Sequence, residues 1–184
     1  MSWSLQPYSV VMLLIAQVFI QKHSMTKSLR YEYTGKGIEV YVVDTGLNDK
    51  ALDNKVLSRQ SFNGNGNFED EDGHGTHVAG IIGSQDYGVA KGVLFHNLKV
   101  LDEHGDGKES PMIAAIEFAI NLSRKRGKKS IINLSFSAGN QSHSRIFDGA
   151  ILEAVNAGLI VIAAAGNDNV DACSVSPGGF VDKT

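Results

Sequence analysis

From Gly37 onward, short apolar runs rich in β-branched residues alternate with segments of helical periodicity, and this alternation constrains the fold more than any other feature of the sequence. The run at 38–43 is almost continuously apolar, which is typical of a strand buried on both faces of a sheet. Strands that alternate with helices in this way join through right-handed crossovers and lie parallel. The sequence therefore predicts an α/β domain with a doubly wound parallel sheet and helices on both faces.

The predicted elements follow one another at short intervals. Strands are expected at 38–43, 93–101, 130–135 and 159–165, and helices at 74–84, 110–126 and 143–157. Ser110 is expected to cap the second helix, because Pro111 after it suits the first helical position. The polar, glycine-rich stretch 64–72 is expected to be a loop, and its acidic residues 69–72 a solvated face.

Composition limits the classes of protein that remain. The chain has 184 residues, 42% hydrophobic and 20% charged, which fits one globular domain with a core of its own. The net charge of −3 gives no reason to expect nucleic acid as a partner. The basic run 124–129 is explained by its place at a helix end. A single cysteine, Cys173, excludes an internal disulfide and a cysteine-built zinc site.

The segment 1–32 differs from the rest and is assigned to a separate, signal-like N-terminal part. Its apolar run, Val10 to Ile20, is shorter than the roughly 20 residues that a helix needs to cross a bilayer, so no permanent membrane insertion is expected. The run has the length of a signal-peptide centre, but no Lys or Arg precedes it. A buried strand or helix, or a misassigned translation start, remains the alternative. If the run is a signal, the protein is secreted or lies in the vacuolar or endomembrane lumen.

The residues that follow the predicted strands are the candidates for chemistry. In doubly wound sheets the functional side chains collect beyond the carboxyl ends of the strands. Asp44, Ser135 and Asn167 stand at such ends, and His74 begins a helix nearby. Acyl transfer needs a nucleophile and a base, and the base can be an imidazole that a carboxylate orients. It also needs a hydrogen-bond donor for the oxyanion, which a side-chain amide can supply.

Several motifs in the same order resemble those of one family. The segments concerned are Val42-Val43-Asp44-Thr45-Gly46, His74-Gly75-Thr76-His77-Val78-Ala79-Gly80 and Ala164-Ala165-Gly166-Asn167. They are similar to the aspartate, histidine and oxyanion-asparagine motifs of subtilisin-like serine proteases, in which Asp precedes His and Ser comes last. The stretch 171–177 resembles the proteinase K-like, fungal branch. The resemblance runs from about residue 33 to 177, the partial peptidase domain assigned to 33–184.

The resemblance implies a role for each matching residue. His74 would be the general base, Asp44 its orienting acid and Asn167 the oxyanion donor of a serine endopeptidase that hydrolyses polypeptides. Two segments would pair with an extended substrate as neighbouring strands. They are Gly105, Asp106 and Gly107 on one side, and Ser135, Phe136 and Ser137 on the other. Ser137 stands where the family usually has glycine, so a narrower groove is expected.

Two parts of the family pattern are missing from the sequence. No serine lies in a Gly-Thr-Ser-Met-Ala type motif. The resemblance implies an inhibitory propeptide in full-length family members, and we expect it to be absent from this sequence. We expect a fragment whose sheet is incomplete at the C-terminus and which is inactive alone. A catalytically inactive pseudoenzyme or interaction module is the alternative. A nucleotide-binding domain is disfavoured because no phosphate loop appears.

No metal or cofactor is required by these motifs. His74 and His77 could share a helical face, but Gly75 stands where zinc peptidases have glutamate. The acidic stretch 69–72 lacks the spacing of a calcium loop. The resemblance leaves calcium open as a structural ion of the full-length family.

Overall fold

The computed structural model describes residues 3–5, 34–138 and 143–180, so the apolar run at 10–20 lies outside the described residues. The strands are β1 (Trp3–Leu5), β2 (Ile38–Asp44), β3 (Val56–Ser61), β4 (Leu94–Lys99), β5 (Asp106–Gly107), β6 (Lys129–Leu134), β7 (Phe136–Ala138) and β8 (Ile160–Ala163). The α-helices are α1 (His74–Gly83), α2 (Glu109–Arg126) and α3 (Arg145–Asn156). Two 3₁₀ turns lie at Lys50–Leu52 and Ala172–Ser174.

Five parallel strands form the main sheet, in the order β3-β4-β2-β6-β8. The central strand β2 is flanked by β4 and β6, and its residues from Glu39 to Asp44 are all buried. A parallel strand in this position needs apolar side chains on both faces, which the near-continuous run supplies. All five strands end at the same edge, where the candidate residues stand.

Helices cover both faces of this sheet, which confirms the predicted fold class. On one face Tyr41 and Val43 pack with the apolar stripes of α2 and α3. On the other face Val40 and Val42 pack with α1. Because successive side chains of a strand point to opposite faces, one nearly continuous apolar run supplies both cores. None of the helices within the described ranges is both long and apolar enough to cross a bilayer.

The structure corrects two details of the sequence reading. Helix α2 begins at Glu109, and Lys108 is its N-cap without a side-chain hydrogen bond, so Ser110 lies inside the first turn and is not the cap. Strand β3 was not predicted. It is the edge strand beside β4, and polar residues alternate irregularly along it, with Leu57 exposed. An edge strand that faces water does not need the continuous apolar run by which the other strands were recognised.

A second, smaller sheet lies apart from the main one. Its order is β5-β1-β7, and β1 is antiparallel to both neighbours. The flanking strands overlap the two segments that the sequence predicted to pair with a substrate, at Asp106 and Gly107 in β5 and at Phe136 and Ser137 in β7. The middle position is therefore taken by residues of the same chain.

A buried polar network joins the end of α2 to the start of β2. Arg126 donates two hydrogen bonds of 2.7 Å to the carboxylate of Glu39, whose side chain is only 4% exposed. His96 Nε2 is 3.0 Å from the same carboxylate, and Ser58 Oγ is 2.7 Å from His96 Nδ1. The hydrogen bonds from Arg126 lower the pKa of Glu39 despite its burial. His96 lies at the centre of this network and stacks on Tyr41.

Arg126→Ala is expected to destabilise the domain by about 2 kcal/mol, because it leaves the Glu39 carboxylate buried without its cation. The value lies below that for a fully buried pair because the Arg126 side chain is 37% exposed. The measurement is urea unfolding. Lys125→Ala is the matched control, since it removes a cation from the same last turn.

The loss of stability caused by Arg126→Ala should decrease as the pH falls. A carboxyl group whose pKa is lowered by folding stabilises the protein above its unfolded pKa, here about 4.5, and this contribution is lost as the pH falls through the folded value. The difference between Arg126→Ala and the parent should therefore shrink in acid. If Arg126→Ala and Lys125→Ala lowered the free energy of unfolding equally at pH 7, the stabilising role of the contact between Arg126 and Glu39 would be contradicted.

Candidate active site

Asp44 is the last residue of β2, and its side chain is fully buried. The strand fixes its backbone, and the Thr45 amide donates a hydrogen bond of 2.7 Å to Oδ1. A buried carboxylate with few hydrogen-bond donors around it can accept a further hydrogen bond from a neighbouring cation or ring. The neighbour that provides it is the first residue of α1.

His74 begins α1 with its ring against Asp44. Nδ1 lies 2.9 Å from Oδ1 and 3.1 Å from Oδ2 of the carboxylate. Because a carboxylate is an acceptor, Nδ1 is assigned as the donor, and this assignment leaves Nε2 as the nitrogen that can take a proton. The ring is 16% exposed, so it connects the buried acid to the surface.

The close approach of α1 to the end of β2 depends on Gly75. A Cβ on Gly75 would lie 2.3 Å from the carbonyl oxygen of Gly46 and 3.1 Å from Oδ1 of Asp44. No side chain tolerates the first distance, because the Gly46 carbonyl is backbone and the position of a Cβ is fixed by the backbone of residue 75. The glycine after His74 is therefore required for the ring to reach the carboxylate.

Asp70 holds the first turn of α1 in place. Its Oδ1 accepts hydrogen bonds from the Gly73 amide and the Thr45 hydroxyl, both at 2.8 Å. Its Oδ2 accepts from the Thr76 amide at 2.9 Å and from the Thr76 hydroxyl. Thr45 Oγ1 in turn accepts from the Gly75 amide at 3.0 Å. The expectation that residues 69–72 form a solvated face is thus wrong for Asp70, which connects the strand end to the helix start.

Burial and hydrogen bonding oppose each other in the pKa values of this site. Burial is the largest influence on Asp44 and raises its pKa, against the hydrogen bonds from His74 and Thr45. Desolvation lowers the pKa of His74, but the hydrogen bond and charge of Asp44 outweigh it, so that pKa is raised above 6.5. For Asp70 the hydrogen bonds from Thr76 and Gly73 outweigh burial and lower the pKa. The Asp44 carboxylate therefore stabilises the charged form of the His74 ring against the effect of desolvation.

Asp44→Asn is expected to lower the pKa of His74, because it removes the charge that stabilises the imidazolium. NMR titration of the His74 ring in the 184-residue chain measures the change, with Asp86→Asn as a control that removes an exposed, distant carboxylate. In the parent chain the raised pKa of His74 contributes stability below pH 6.5, and this contribution is lost as the pH rises through the raised value. An unchanged His74 titration in Asp44→Asn would contradict the assigned contact.

Asn167 follows β8 at the same edge of the sheet as Asp44. Strand β6 separates β2 from β8, so the two strand axes are about 10 Å apart. Asn167 is exposed. Ser135, directly after β6, is buried and accepts a hydrogen bond of 2.9 Å from Asn133 Nδ2. The structure thus joins Asp44 and His74 in direct contact and places Ser135 and Asn167 along the same edge.

The two predicted substrate-binding segments lie on either side of β1. Asp106 and Gly107 form β5, and Gly105 before them has a φ of 75°, a conformation that favours glycine. Phe136 and Ser137 belong to β7. Ser137 is fully buried, and no hydrogen-bond partner for its Oγ is found among the described residues. That oxygen would lie 3.9 Å from a Cβ on Gly166, so it faces the loop that leads to Asn167.

Sequence reasoning missed three residues that support the site. Thr45 and Asp70 form the hydrogen-bond network described above, and Lys99 is fully buried, with Nζ donating to the Thr45 carbonyl and 3.7 Å from Glu71 Oε2. Lys99 could have been suspected, because a lysine at the carboxyl end of a buried strand needs an acceptor. No sequence signal distinguished Asp70 from its acidic neighbours.

The described residues do not fit a metal site. They contain no group of three or more His, Cys, Asp and Glu side chains that could hold an ion. In the stretch 69–72 both oxygens of Asp70 already accept hydrogen bonds from Thr45, Gly73 and Thr76. Both oxygens of the Asp70 carboxylate are therefore engaged with backbone and hydroxyl donors.

Comparison with known proteins gives consistent matches over this region. A sequence profile described as the subtilase family matches residues 35–180. The extracellular serine proteinase of Thermus sp. (strain Rt41A) is 41% identical over 171 residues, covering 86% of this chain and 38% of that protein. Subtilisin-like serine protease Pen ch 18 of Penicillium rubens is 37% identical over 171 residues, covering 84% and 32%. The crystal structure of a cold adapted subtilisin-like serine proteinase superposes with a TM-score of 0.75 at 31% identity, covering 89% of this chain and 59% of that one.

The fold is that of a subtilisin-like α/β domain. The chain belongs to the subtilase family of serine proteases. Fungal proteins are among the matching relatives, in agreement with the predicted branch. The chain spans 38% of the length of the Thermus relative and 32% of the Penicillium relative, so the activity of a whole enzyme is a matter for proposal.

Proposed function

We propose that this chain supplies the acid, the base and the oxyanion donor of a serine-type endopeptidase. Asp44 orients the imidazole, His74 is the general base, and Asn167 donates its side-chain amide to the oxyanion. The observation that supports this most strongly is the 2.9 Å contact between His74 Nδ1 and a fully buried carboxylate. That contact fixes the ring and directs Nε2 toward the edge of the sheet, where a nucleophile would have to stand.

The chemistry follows from which nitrogen is occupied. With Nδ1 donating to Asp44, Nε2 can accept the proton of a serine hydroxyl as its oxygen attacks a peptide carbonyl. The imidazolium that forms is stabilised by the Asp44 carboxylate and then gives its proton to the leaving amine. The carbonyl oxygen becomes an oxyanion, which the Asn167 amide would stabilise.

The proposed substrate is an extended polypeptide that lies between β5 and β7. Both strands offer backbone groups to a strand placed between them, which is the mode of recognition by strand addition. The side chain of Ser137 is directed to the Gly166 loop. We therefore propose that Ser137 forms part of the floor of the groove beside Asn167.

A chimera tests the proposal. Residues 35–180 replace the matching segment of the Thermus proteinase, so that the relative supplies a serine nucleophile. We expect the folded chimera to hydrolyse a peptide amide and to react with a fluorophosphonate probe. A chimera that unfolds cooperatively but neither hydrolyses the amide nor reacts with the probe would contradict the proposed roles and favour a non-catalytic interaction module.

The 184-residue chain by itself is proposed to be inactive, because none of its serines stands in a Gly-Thr-Ser motif. The same fluorophosphonate probe should leave it unlabelled. Labelling of any serine in the folded chain would overturn this part of the proposal. For location we propose a secreted protein or one in the vacuolar or endomembrane lumen, since the Thermus relative is named extracellular.

A further inference from the structure

The same three-residue sequence occurs twice within the described residues. Asn121-Leu122-Ser123 lies in α2, and Asn133-Leu134-Ser135 spans the end of β6. Asn-X-Ser, where X is not proline, is the triplet at which secreted proteins acquire N-linked oligosaccharide. A third such triplet begins at Asn140, which lies outside the described residues. Because the first two triplets are identical, only their surroundings in the fold can distinguish them.

Asn121 lies on the exposed side of α2. Its exposed neighbours along the helix are Ala114 and Glu117, at the spacing of three and four residues that places side chains on one side of a helix. The opposite side of α2 is buried, with Ile116 and Ile120 in the core. An oligosaccharide on Asn121 Nδ2 would therefore extend into solvent and displace no core contact.

Asn133 has the opposite surroundings. It is fully buried in β6, which lies between β2 and β8. Its Nδ2, the atom that would bear the sugar, donates a hydrogen bond of 2.9 Å to Ser135 Oγ. Because an N-linked oligosaccharide is bulky and belongs on the surface, the folded domain has no space for one at this position.

We propose that Asn121 is a site of N-linked glycosylation, whereas Asn133 has no oligosaccharide in the folded protein. The inference rests on the proposed secreted or lumenal location and is independent of the peptidase activity. The co-substrate is an oligosaccharide joined to a polyprenyl pyrophosphate. Asn121 Nδ2 forms a bond to the anomeric carbon and loses one proton, while the bond from that carbon to the pyrophosphate oxygen breaks. The polyprenyl pyrophosphate leaves with the electron pair of that bond.

The surroundings of Ser123 indicate when the sugar is attached. The triplet requires the serine hydroxyl as well as the asparagine. In the folded domain Ser123 is buried, and its Oγ donates a hydrogen bond of 2.9 Å to Ser130 Oγ. An enzyme cannot reach this hydroxyl once α2 has packed on the sheet. The sugar is therefore attached before α2 packs, and the helix then folds with the oligosaccharide on its outer side.

The oligosaccharide would lie away from the candidate active site. Arg126, the last residue of α2, contacts Glu39 near the start of β2, whereas Asp44 is at the other end of that strand. Asn121 precedes Arg126 by roughly one and a half helical turns, so it lies in the same half of the helix. We therefore expect the chimera with the Thermus proteinase to have the same kcat/KM before and after enzymatic removal of the oligosaccharide.

The test translates the full 184-residue chain, with an added cleavable signal peptide, in the presence of endoplasmic-reticulum microsomes. Asn140→Gln is present in the parent and in every variant, so that only the two identical triplets remain. Asn121→Gln should remove one oligosaccharide from the product, which is seen as a gain in gel mobility. Asn156→Gln should not, and it is the matched control, because Asn156 is exposed at the end of α3 but begins no such triplet.

Mass spectrometry locates the oligosaccharide. Peptide N-glycosidase converts a glycosylated asparagine to aspartate, which is then sought in tryptic peptide 109–124 for Asn121 and in tryptic peptide 130–145 for Asn133. We expect the conversion at Asn121 in the whole product, whether or not the chain folds after modification. In the fraction that resists brief proteolysis, and is therefore folded, we expect no conversion at Asn133.

The outcomes separate this inference from the peptidase proposal. No conversion at Asn121, or conversion at Asn133 in the folded fraction of the chain or of the chimera, would overturn it. The chimera carries the same two triplets, since it contains residues 35–180. An inactive chimera with an oligosaccharide at Asn121 would overturn the peptidase roles alone, whereas an active chimera without one would overturn the glycosylation site alone.

Discussion

Asp44→Asn in the chimera with the Thermus proteinase is expected to lower kcat about 10⁴-fold, which corresponds to about 5.5 kcal/mol of transition-state stabilisation. The amide has nearly the same shape, so the fold is retained. Its nitrogen cannot accept a hydrogen bond from His74 Nδ1, and its lack of charge leaves the imidazolium without a counterion. The size is that known for loss of the equivalent acid in serine proteases.

The measurement is the steady-state hydrolysis of a peptide amide, with kcat and KM determined separately. KM should change little, because Asp44 is buried behind the ring and does not reach the groove. His77→Ala is the control on the same helix, since that side chain is exposed. A decrease in kcat of less than tenfold for Asp44→Asn would contradict its proposed role as the orienting acid.

Asp70→Ala is expected to have the largest effect on stability, about 3 kcal/mol. The substitution leaves two amides and two hydroxyls at the start of α1 without their shared acceptor. Hydrogen bonds to a charged acceptor contribute about 1.5–3 kcal/mol each, and water replaces part of the loss at this half-buried site. Denaturant unfolding of the 184-residue chain measures the difference, and Glu69→Ala is the control for removal of a neighbouring exposed carboxylate.

The pH dependence of this difference has a defined sign. Folding lowers the pKa of Asp70 below 3.8, so its contribution is present above that pH and is lost as the pH falls through the folded value. The gap between parent and Asp70→Ala should be constant near pH 7 and should close in strong acid. A gap no larger than that of Glu69→Ala at pH 7 would show that Asp70 does not hold the helix.

The inner strands of the main sheet, β2, β4 and β6, could be predicted because they are largely buried on both faces. An apolar run such as 38–43, interrupted only by Glu39, has one physical explanation in a chain of this size, and the glycines after α2 and α3 indicated where the intervening helices end. Strand β3 has no such run, because it is an edge strand. Strand β1 has three residues, and its position depends on partners more than 100 residues away in sequence. Local patterns contain no information about such pairing.

The candidate site, like the fold, could be predicted only in part from the sequence. Asp44, His74 and Asn167 could be selected because motifs of known order surround them. Asp70 could not, because its four contacts come from Thr45, Gly73 and Thr76, and its sequence neighbours are equally acidic. What distinguishes Asp70 from Glu69 and Glu71 is only the position that the folded backbone gives it.

The contact between the Gly75 position and the Gly46 carbonyl has a consequence for redesign. The interval between the Asp44 carboxylate and the His74 ring is set by two segments of main chain that touch each other, and not by the choice of nearby side chains. Residues on the outward face of α1 can therefore be substituted extensively without changing the separation of acid and base, provided that residue 75 remains glycine. Transplanting the pair into another parallel sheet would require copying that backbone crossing first and the two functional side chains second.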